Sequence, residues 1–451
     1  MNVKDIILEL DNNVYKPQKP SKLLVMMFET ERWQNMIDIA DEKDLNKKLI
    51  KELCYPETRA NLYNMIHDNK YTIYPPTVCK IPKDTPGEFR EVYVNRDLDR
   101  IVLTLINDCL CEMCKDMIHP NCVSYQKGIG TQDVVKRISK EIVRLNKIKT
   151  IQNTFDKQIG YKSDFSKYFD TVCIEAIDAI FNKIENRLGF ERGQEPVINL
   201  LRRYYHQDLY FDHENVLHKK YQALKQGCAV ASFLANAILY ELDDYMSKKY
   251  KIYYRYSDDV CVIDKNTSGV IGDMNSIIVK YGVKLNPKKV EPLYCDKWFK
   301  FLGFNIKGNM ITLSKNRVKK FQKEIESRSI DKNYTAKQAR NAIFRYLYEG
   351  EYCWASSCLG TINVEKDINE LNKFILDCIR ACETGKKKIG GLGSVMDLPD
   401  RTILRGKGKN VKANRIRTDK EITKYLSVNC LSKDIKISKS VFEAVVRNMK
   451  A

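Results

Sequence analysis

Two adjacent carboxylates stand out among the residues that could carry chemistry. They are Asp258 and Asp259 in the run Tyr256-Ser257-Asp258-Asp259, which lies between apolar, β-rich segments. Such a pair is most often a solvated hairpin turn, because aspartate favours turns. A catalytic role needs a further carboxylate, since two Mg²⁺ ions about 4 Å apart require several oxygen ligands to hold the attacking and leaving groups of phosphoryl transfer. Asp164 supplies that candidate.

The elements around these aspartates combine short strands with helices. Two β-rich runs, 253–256 and 260–263, flank the Asp-Asp pair, and helical stretches alternate with such runs between residues 161 and 306. Between Asp164 and Asp258, the pair Gln226-Gly227 forms a glycine turn that leads into an amphipathic helix. This pattern predicts an α/β (α+β) domain, with a mixed sheet backed by helices, that holds the chemistry.

The composition points to a nucleic-acid partner. The chain of 451 residues has 77 Lys and Arg against 58 Asp and Glu, a formal net charge of +19, and such an excess indicates a polyanionic partner. Its length predicts two or three domains. No run of about 18 apolar residues could span a bilayer, and the N-terminus does not resemble a signal peptide. We therefore expect a cytoplasmic protein with no membrane partner.

The cysteines offer an alternative kind of site. The chain has 15 of them. A zinc site could be imagined from Cys109, Cys111, Cys114, His119 and Cys122. However, apolar residues recur at helical spacing over residues 98–117, which places the first of these cysteines on or beside the apolar face of a long helix. We favour buried, reduced thiols over zinc ligands and over disulfides.

The C-terminal third reads as helices followed by a basic segment. Residues 315–329, 335–349 and 364–384 have helical patterns, and a Thr335-x-x-Gln338 capping box opens the second. Beyond them, glycines mix with basic residues, and glycine permits close backbone approach to phosphates. The alternative is a solvated charge run. We expect this segment to bind structured RNA through Lys386, Lys387, Arg405, Lys407 and Lys409.

The order of the motifs resembles that of a reverse transcriptase of the bacterial, group II intron-like superfamily. The resemblance covers roughly residues 71–306, and its motifs are Ile81-Pro82-Lys83 with Arg90, residues 97–102, Asp164 to Phe169, Gln226-Gly227 with Asn236, Tyr256 to Asp259, residues 285–289 and Phe301-Leu302-Gly303-Phe304. It implies a right-hand polymerase. Its expected parts are an N-terminal helical extension (1–70), fingers and palm (71–310), a helical thumb (311–385) and a basic C-terminal extension (386–451).

The resemblance implies a metal site and a proton donor. Asp164, Asp258 and Asp259, with the backbone of Phe165, would bind two Mg²⁺ ions, for which Mn²⁺ is a possible substitute. Lys289 would be a general acid that protonates the leaving pyrophosphate. The alternative for Lys289 is one more lysine on a basic surface.

The resemblance also implies contacts with nucleotide and primer. Lys83 and Arg90, brought together by a hairpin over residues 85–87, would clamp the triphosphate. The ring of Phe169 would exclude a ribose 2′-hydroxyl, which favours deoxynucleotides, unless it is only a core aromatic. The remaining implied contacts are template and nucleotide support at Gln226, Gly227 and Asn236 and a primer grip at Phe301, Leu302 and Gly303.

Some motifs depart from the group II-like pattern. Ala231-Ser232 stands where those enzymes usually have Ser-Pro, and Lys225 replaces the usual proline. Segments 124–132, 390–393 and 405–411 instead resemble the "unknown group" bacterial reverse transcriptases that act in antiphage defence. This resemblance implies a cognate structured non-coding RNA as template, deoxynucleoside triphosphates as substrates and cDNA as product.

Two other functions stay open. One is a protein-primed, template-independent DNA polymerase of the abortive-infection type. The 26 tyrosines do not distinguish this enzyme from one that copies an RNA template. The other is a non-catalytic RNA-binding protein with a relic polymerase fold. Intact carboxylates at all the expected metal positions argue against a relic, because like charges have no structural reason to be kept together. The sequence does not indicate the priming group, the phage trigger or the oligomeric state.

Overall fold

The computed structural model describes residues 20–82, 87–126, 130–152, 157–219, 224–350 and 353–384. The strands within these ranges are β1 (Thr77–Pro82), β2 (Phe89–Val94), β3 (Gln158–Asp164), β4 (Leu209–Phe211), β5 (Leu217–Lys219), β6 (Ile252–Tyr256), β7 (Asp259–Ile263), β8 (Glu291–Tyr294), β9 (Phe299–Phe301), β10 (Phe304–Lys307) and β11 (Met310–Leu313).

The α-helices within the same ranges are Lys22–Met27, Thr30–Ile39, Lys47–Leu53, Pro56–His67, Asp97–Met113, Thr131–Ile151, Tyr168–Thr171, Ile174–Leu188, Pro196–His206, Val230–Ile238, Tyr240–Lys249, Val270–Ile278, Lys315–Ser327, Ala336–Tyr348 and Glu365–Thr384. Short 3₁₀ turns occur at Lys115–Met117, Val279–Tyr281, Pro287–Lys289 and Ile330–Lys332, and a π-helical turn at Ala355–Leu359.

The strands form three sheets. The first sheet has the order β2-β1-β4-β5, in which β1 pairs antiparallel with β2 and parallel with β4. The central sheet has the order β6-β7-β3-β8 and is antiparallel throughout. The third sheet has the order β11-β10-β9 and is also antiparallel. The predicted combination of sheets and helices is therefore present. The parallel pairing lies in the first sheet, however, and the sheet that carries the three aspartates is antiparallel and not mixed as predicted.

The central sheet separates two apolar cores. Successive side chains of a strand point to opposite faces. Val260 and Val262 of β7 accordingly join the first core, while Cys261 and Ile263 join the second core. Because both faces are covered, this strand is apolar throughout instead of alternating with polar residues. Packing on both faces of the central sheet holds β7 in place, and this strand begins at Asp259.

The helices of the C-terminal part agree with the sequence prediction. Thr335 accepts the N–H of Gln338, and the Gln338 side chain accepts the N–H of Thr335, so the predicted capping box is present. Phe321, Ile343 and Ile375 contribute one residue from each long helix to the second core. These helices are therefore joined to the central sheet by a continuous apolar contact.

Three of the candidate zinc ligands, Cys109, Cys114 and Cys122, lie in the first core. Cys109 is on the helix Asp97–Met113, as its spacing predicts, and both Cys109 and Cys114 are buried. Burial raises the pKa of Cys109 to about 12 and that of Cys114 to about 11. Both thiols are therefore neutral near pH 7. None of the helices in the described ranges has the length and apolar character needed to cross a membrane.

Candidate active site

Strands β6 and β7 are joined by a tight turn at the Asp-Asp pair. Tyr256 pairs with Asp259, so the loop consists of Ser257 and Asp258 alone. Ser257 has a φ of +57°, the left-handed conformation that two-residue hairpin loops require at their first position. A solvated turn would expose these residues, whereas Ser257 is 6 % exposed and both aspartates are partly buried.

Asp164 ends the neighbouring strand beside this turn. In the antiparallel pairing of β3 with β7, Asp164 lies opposite Asp259. The N–H of Phe165 donates to the carbonyl of Asp258 at 3.2 Å. The structure thus brings together the three predicted carboxylates and the main chain of Phe165 at one end of the central sheet.

Burial and neighbouring charges raise the pKa of the Asp258 and Asp259 carboxyls. Burial first, and then the neighbouring charges of Asp164 and Asp259, raise the pKa of Asp258 to about 6. Burial also raises the pKa of Asp259, which Lys162 opposes. The Nζ of Lys289 lies 2.7 Å from Oδ2 of Asp164. Partial burial lowers the pKa of Lys289, but the contact with Asp164 and the nearby aspartates raise it overall, so this side chain is a cation.

The donor set suits a hard divalent cation. Carboxylate and main-chain oxygens are the ligands that Mg²⁺ and Mn²⁺ prefer, and a cation would relieve the repulsion that raises the pKa of Asp258. Within the described ranges, however, no group of three His, Cys, Asp or Glu side chains is arranged to hold a metal ion. The three aspartates are therefore neighbours and not a closed ligand set, and Asp164 has Lys289 as its partner.

The Gln226-Gly227 turn docks against strand β2. The N–H of Tyr93 donates to the carbonyl of Gln226 at 2.7 Å. Gly227 has a φ of +107°, and a Cβ there would lie 2.8 Å from the Tyr93 carbonyl oxygen and 2.5 Å from Cγ1 of Val92. Only glycine fits this position. The turn therefore joins the first sheet to the helix Val230–Ile238.

Lys225, which stands where the related enzymes usually have proline, has an unusual environment. Its side chain is buried, and its Nζ lies 4.7 Å from the ring centroid of Tyr204. Burial lowers its pKa to about 8, which nearby Asp208 partly opposes. Its backbone φ is +49°. The segment before Gln226 therefore takes a conformation that proline, with its fixed negative φ, could not adopt.

Phe169 follows Asp164 by five residues and contacts the segment that precedes this turn. It is half-buried in the helix Tyr168–Thr171, and its ring packs against that of Tyr168 with centroids 5.7 Å apart. Its carbonyl accepts the N–H of Leu224 at 2.9 Å. This main-chain contact holds Phe169 beside the start of the Gln226-Gly227 segment.

Arg90 is exposed on β2. Burial first, and then Tyr256 and Asp258, raise the pKa of Tyr125, while Arg90 lowers it. The rings of Tyr125 and Tyr256 are 6.1 Å apart. Arg90 is thus close enough to act electrostatically beside the turn. The predicted β1–β2 hairpin is present, but Lys83, Lys386, Lys387, Arg405, Lys407 and Lys409 lie outside the described residues.

The predicted primer grip is a second tight hairpin. Phe301 pairs with Phe304, and the two loop residues Leu302 and Gly303 both have positive φ, +49° and +78°. This is the pattern of a type I′ turn. The guanidinium of Arg317, from the helix Lys315–Ser327, fills the space beside Gly303 and lies 4.4 Å from the Phe304 ring centroid. The turn is thereby fixed to the first of the C-terminal helices.

A buried ion pair beneath the Asp-Asp turn is absent from the sequence predictions. Arg255 and Asp243 are both 0 % exposed, and Nε and Nη2 of Arg255 donate to the two carboxylate oxygens at 2.7 and 2.6 Å. The sequence does carry a signal for this pair: Arg255 is a charged residue inside the apolar and aromatic run 253–256, and a buried charge needs a partner.

Asn236 has a different environment from the one that the resemblance implies. It is 1 % exposed, and its amide donates to the carbonyl of Ser124 at 2.8 Å. Its Oδ1 accepts the hydroxyl of Ser124 at 2.7 Å. The side chain is therefore enclosed within the protein and does not face a nucleotide.

The comparisons with known proteins identify the family. A family model described as reverse transcriptase (RNA-dependent DNA polymerase) matches residues 81–306, half of the chain. This chain belongs to the reverse transcriptase family. The membership confirms the predicted polymerase fold. Among curated proteins, no sequence matches this one.

Several solved structures are similar in part. The apo telomerase from Candida tropicalis has a TM-score of 0.41 and 15 % identity over 84 % of this chain and 64 % of that one. The telomerase from Candida albicans in complex with a TWJ fragment of telomeric RNA has a TM-score of 0.42 and 11 % identity over 88 % and 66 %. An insertion-loop deletion mutant of a human picobirnavirus RNA-dependent RNA polymerase has a TM-score of 0.35 and 12 % identity over 52 % and 44 %. The chain spans less than two thirds of each.

Proposed function

We propose that this protein is an RNA-directed DNA polymerase whose metal ligands are Asp164, Asp258, Asp259 and the backbone of Phe165. The observation that supports this most is the meeting of these groups at one end of the central sheet. Two divalent ions bound there, Mg²⁺ or in its place Mn²⁺, would activate the primer 3′-hydroxyl and neutralise charge on the phosphates.

The chain's own residues would select and orient the substrates. Phe169 excludes the 2′-hydroxyl of a ribonucleotide, and Arg90, with Lys83, holds the triphosphate by paired charge-assisted hydrogen bonds. Lys289, a cation beside Asp164, gives its proton to the leaving pyrophosphate. The Gln226-Gly227 turn supports the nucleotide, and the hairpin Phe301-Leu302-Gly303 orients the primer end.

We further propose the division into parts and the biological role. The N-terminal helical extension ends at residue 70, fingers and palm at 310 and the thumb at 385, and the rest is the basic RNA-binding extension. The net charge of +19 supports a nucleic-acid template. The motif resemblance supports a cognate structured non-coding RNA, copied into cDNA in the bacterial cytoplasm during antiphage defence.

Paired asparagine variants test the site. Asp258→Asn together with Asp259→Asn should abolish metal-dependent extension of a DNA primer on RNA, since amides do not supply the negative charge that holds the ions. RNA affinity, measured by fluorescence anisotropy, should stay nearly unchanged, because the metals serve chemistry more than docking. Synthesis by the double variant would contradict the site assignment.

The same assay separates the other candidate functions. If the protein is a relic polymerase, the unmodified protein should bind RNA but extend no primer. A protein-primed enzyme would attach DNA to its own side chain without template, which a denaturing gel with labelled deoxynucleotides detects. Template-dependent extension of a free primer would contradict both.

A further inference from the structure

Both main-chain polar groups of Ser257, the residue that precedes Asp258, are held by buried side chains. Its N–H donates to Oγ of Ser124 at 3.1 Å. Its carbonyl accepts Nη1 of Arg255, also at 3.1 Å. A non-glycine residue with a φ of +57° is disfavoured and persists only where its surroundings hold it. The side chains of Ser124 and Arg255 therefore hold the turn in this conformation.

The two side chains are tied to each other through Asn236. The hydroxyl of Ser124 donates to Oδ1 of Asn236 at 2.7 Å, and Nη2 of Arg255 donates to the Asn236 carbonyl at 3.0 Å. Arg255 is in turn held by the carboxylate of Asp243. The network thus links the segment before Tyr125 and two helices to the main-chain N–H and carbonyl of one residue of the turn.

The burial of the network distinguishes it from a surface contact. Ser124, Asp243 and Arg255 are 0 % exposed, so water cannot replace a lost hydrogen bond. In such surroundings a hydrogen-bond donor left without its acceptor moves or shifts its neighbours. The group that would move here is the main chain of Ser257, the residue that directly precedes Asp258.

We propose that Ser124 and Arg255 are positioning residues: by holding the N–H and carbonyl of Ser257, they orient the Asp258 carboxylate and so set the rate of nucleotide transfer. They touch neither substrate nor metal. The inference rests on the polymerase activity proposed above. A misplacement of about 1 Å in a catalytic group can cost on the order of a hundredfold in rate.

Ser124→Ala, with Ser139→Ala as a matched control, tests the proposal. Ser139 is, like Ser124, a buried serine. Its hydroxyl donates to the carbonyl of Gly308, between β10 and β11, at 2.7 Å, and the residue lies on the helix Thr131–Ile151. The measurements are kcat and KM for a deoxynucleotide on primed RNA, RNA affinity and Tm. Ser124→Ala should lower kcat by about tenfold or more, with KM and RNA affinity within about twofold.

Ser139→Ala should leave kcat unchanged while lowering Tm, and Ser124→Thr, which keeps the hydroxyl, should recover most of the lost kcat. An unchanged kcat in Ser124→Ala, or an equal loss of kcat in both alanine variants, would overturn the positioning role. Absence of primer extension by the unmodified protein would overturn the polymerase activity itself, and this inference with it.

Discussion

We expect Phe169→Ala to admit ribonucleotides into the product. The ring is half-buried against Tyr168, and the main-chain carbonyl of Phe169 accepts the N–H of Leu224, a contact that does not involve the ring. Truncation should therefore open space without moving the chain. Because an apolar wall that is only partly complete discriminates against an added hydroxyl by about a hundredfold, loss of the ring should cost about 2.7 kcal/mol of transition-state discrimination.

The assay compares kcat/KM for dCTP and CTP opposite a template guanine. The ratio should fall about a hundredfold in Phe169→Ala and stay near that of the unmodified protein in Phe169→Tyr. Phe28→Ala is a suitable control, since Phe28 is also half-buried and packs against Trp33 and Tyr63, away from the site. Both truncations should lower stability by about 2 kcal/mol, less than the cost at a fully buried site. An unchanged ratio in Phe169→Ala would refute the steric role and leave Phe169 a core residue.

Three other expectations concern stability and binding. Burial raises the pKa of Glu195 from an ordinary 4.5 to about 7. The free energy of unfolding should therefore fall as the pH rises from 4.5 to about 7, by up to about 3 kcal/mol. Glu195→Gln should remove this loss, measured by urea unfolding at pH 5 and pH 8. A pH dependence that persists in the variant would contradict this. Gly227→Ala should cost about 1–3 kcal/mol through its φ of +107° and raise KM for deoxynucleotides, because the Gln226-Gly227 turn would separate from β2; an unchanged KM would show that the docking is unimportant. Replacement of Arg405, Lys407 and Lys409 by alanine should weaken cognate RNA binding and flatten its salt dependence by up to about three phosphate contacts, with extension of a generic primed template nearly normal; equal loss on both templates would indicate a general role.

The aspartates and the C-terminal helices could be predicted because their signals are local. Asp258 and Asp259 stand between two short apolar strands, and the Thr335-Gln338 capping box marks a helix start within four residues. The position of Asp164 opposite Asp259 depends on the pairing of β3 with β7. That pairing joins segments far apart in the chain, so no local pattern indicates it. The motif resemblance implies that Asp164 joins the other two aspartates, but it does not give the pairing of the strands.

A charge within the run 253–256 indicates that Arg255 needs a partner, but the identity of the partners in the network beneath the turn could not be predicted. Ser124, Asp243 and Arg255 lie on three elements, and no spacing rule connects them. Asn236 shows the limit of a motif resemblance, because matching the residue type did not reveal that its amide is buried and bonded to Ser124. Lys225 departs from the group II-like pattern at the sequence level, but its positive φ and its contact with Tyr204 depend on the tertiary fold.

The most direct test of the central claim is template-directed incorporation of a single nucleotide. Purified protein is given a DNA primer annealed to RNA, Mg²⁺ and each deoxynucleotide in turn, with the Asp258→Asn and Asp259→Asn double variant as the blank. We predict that only the nucleotide complementary to the RNA base is added, that EDTA stops the reaction and that the double variant adds none. Addition without regard to the template base, or equal addition by the double variant, would contradict an RNA-directed polymerase built on these aspartates.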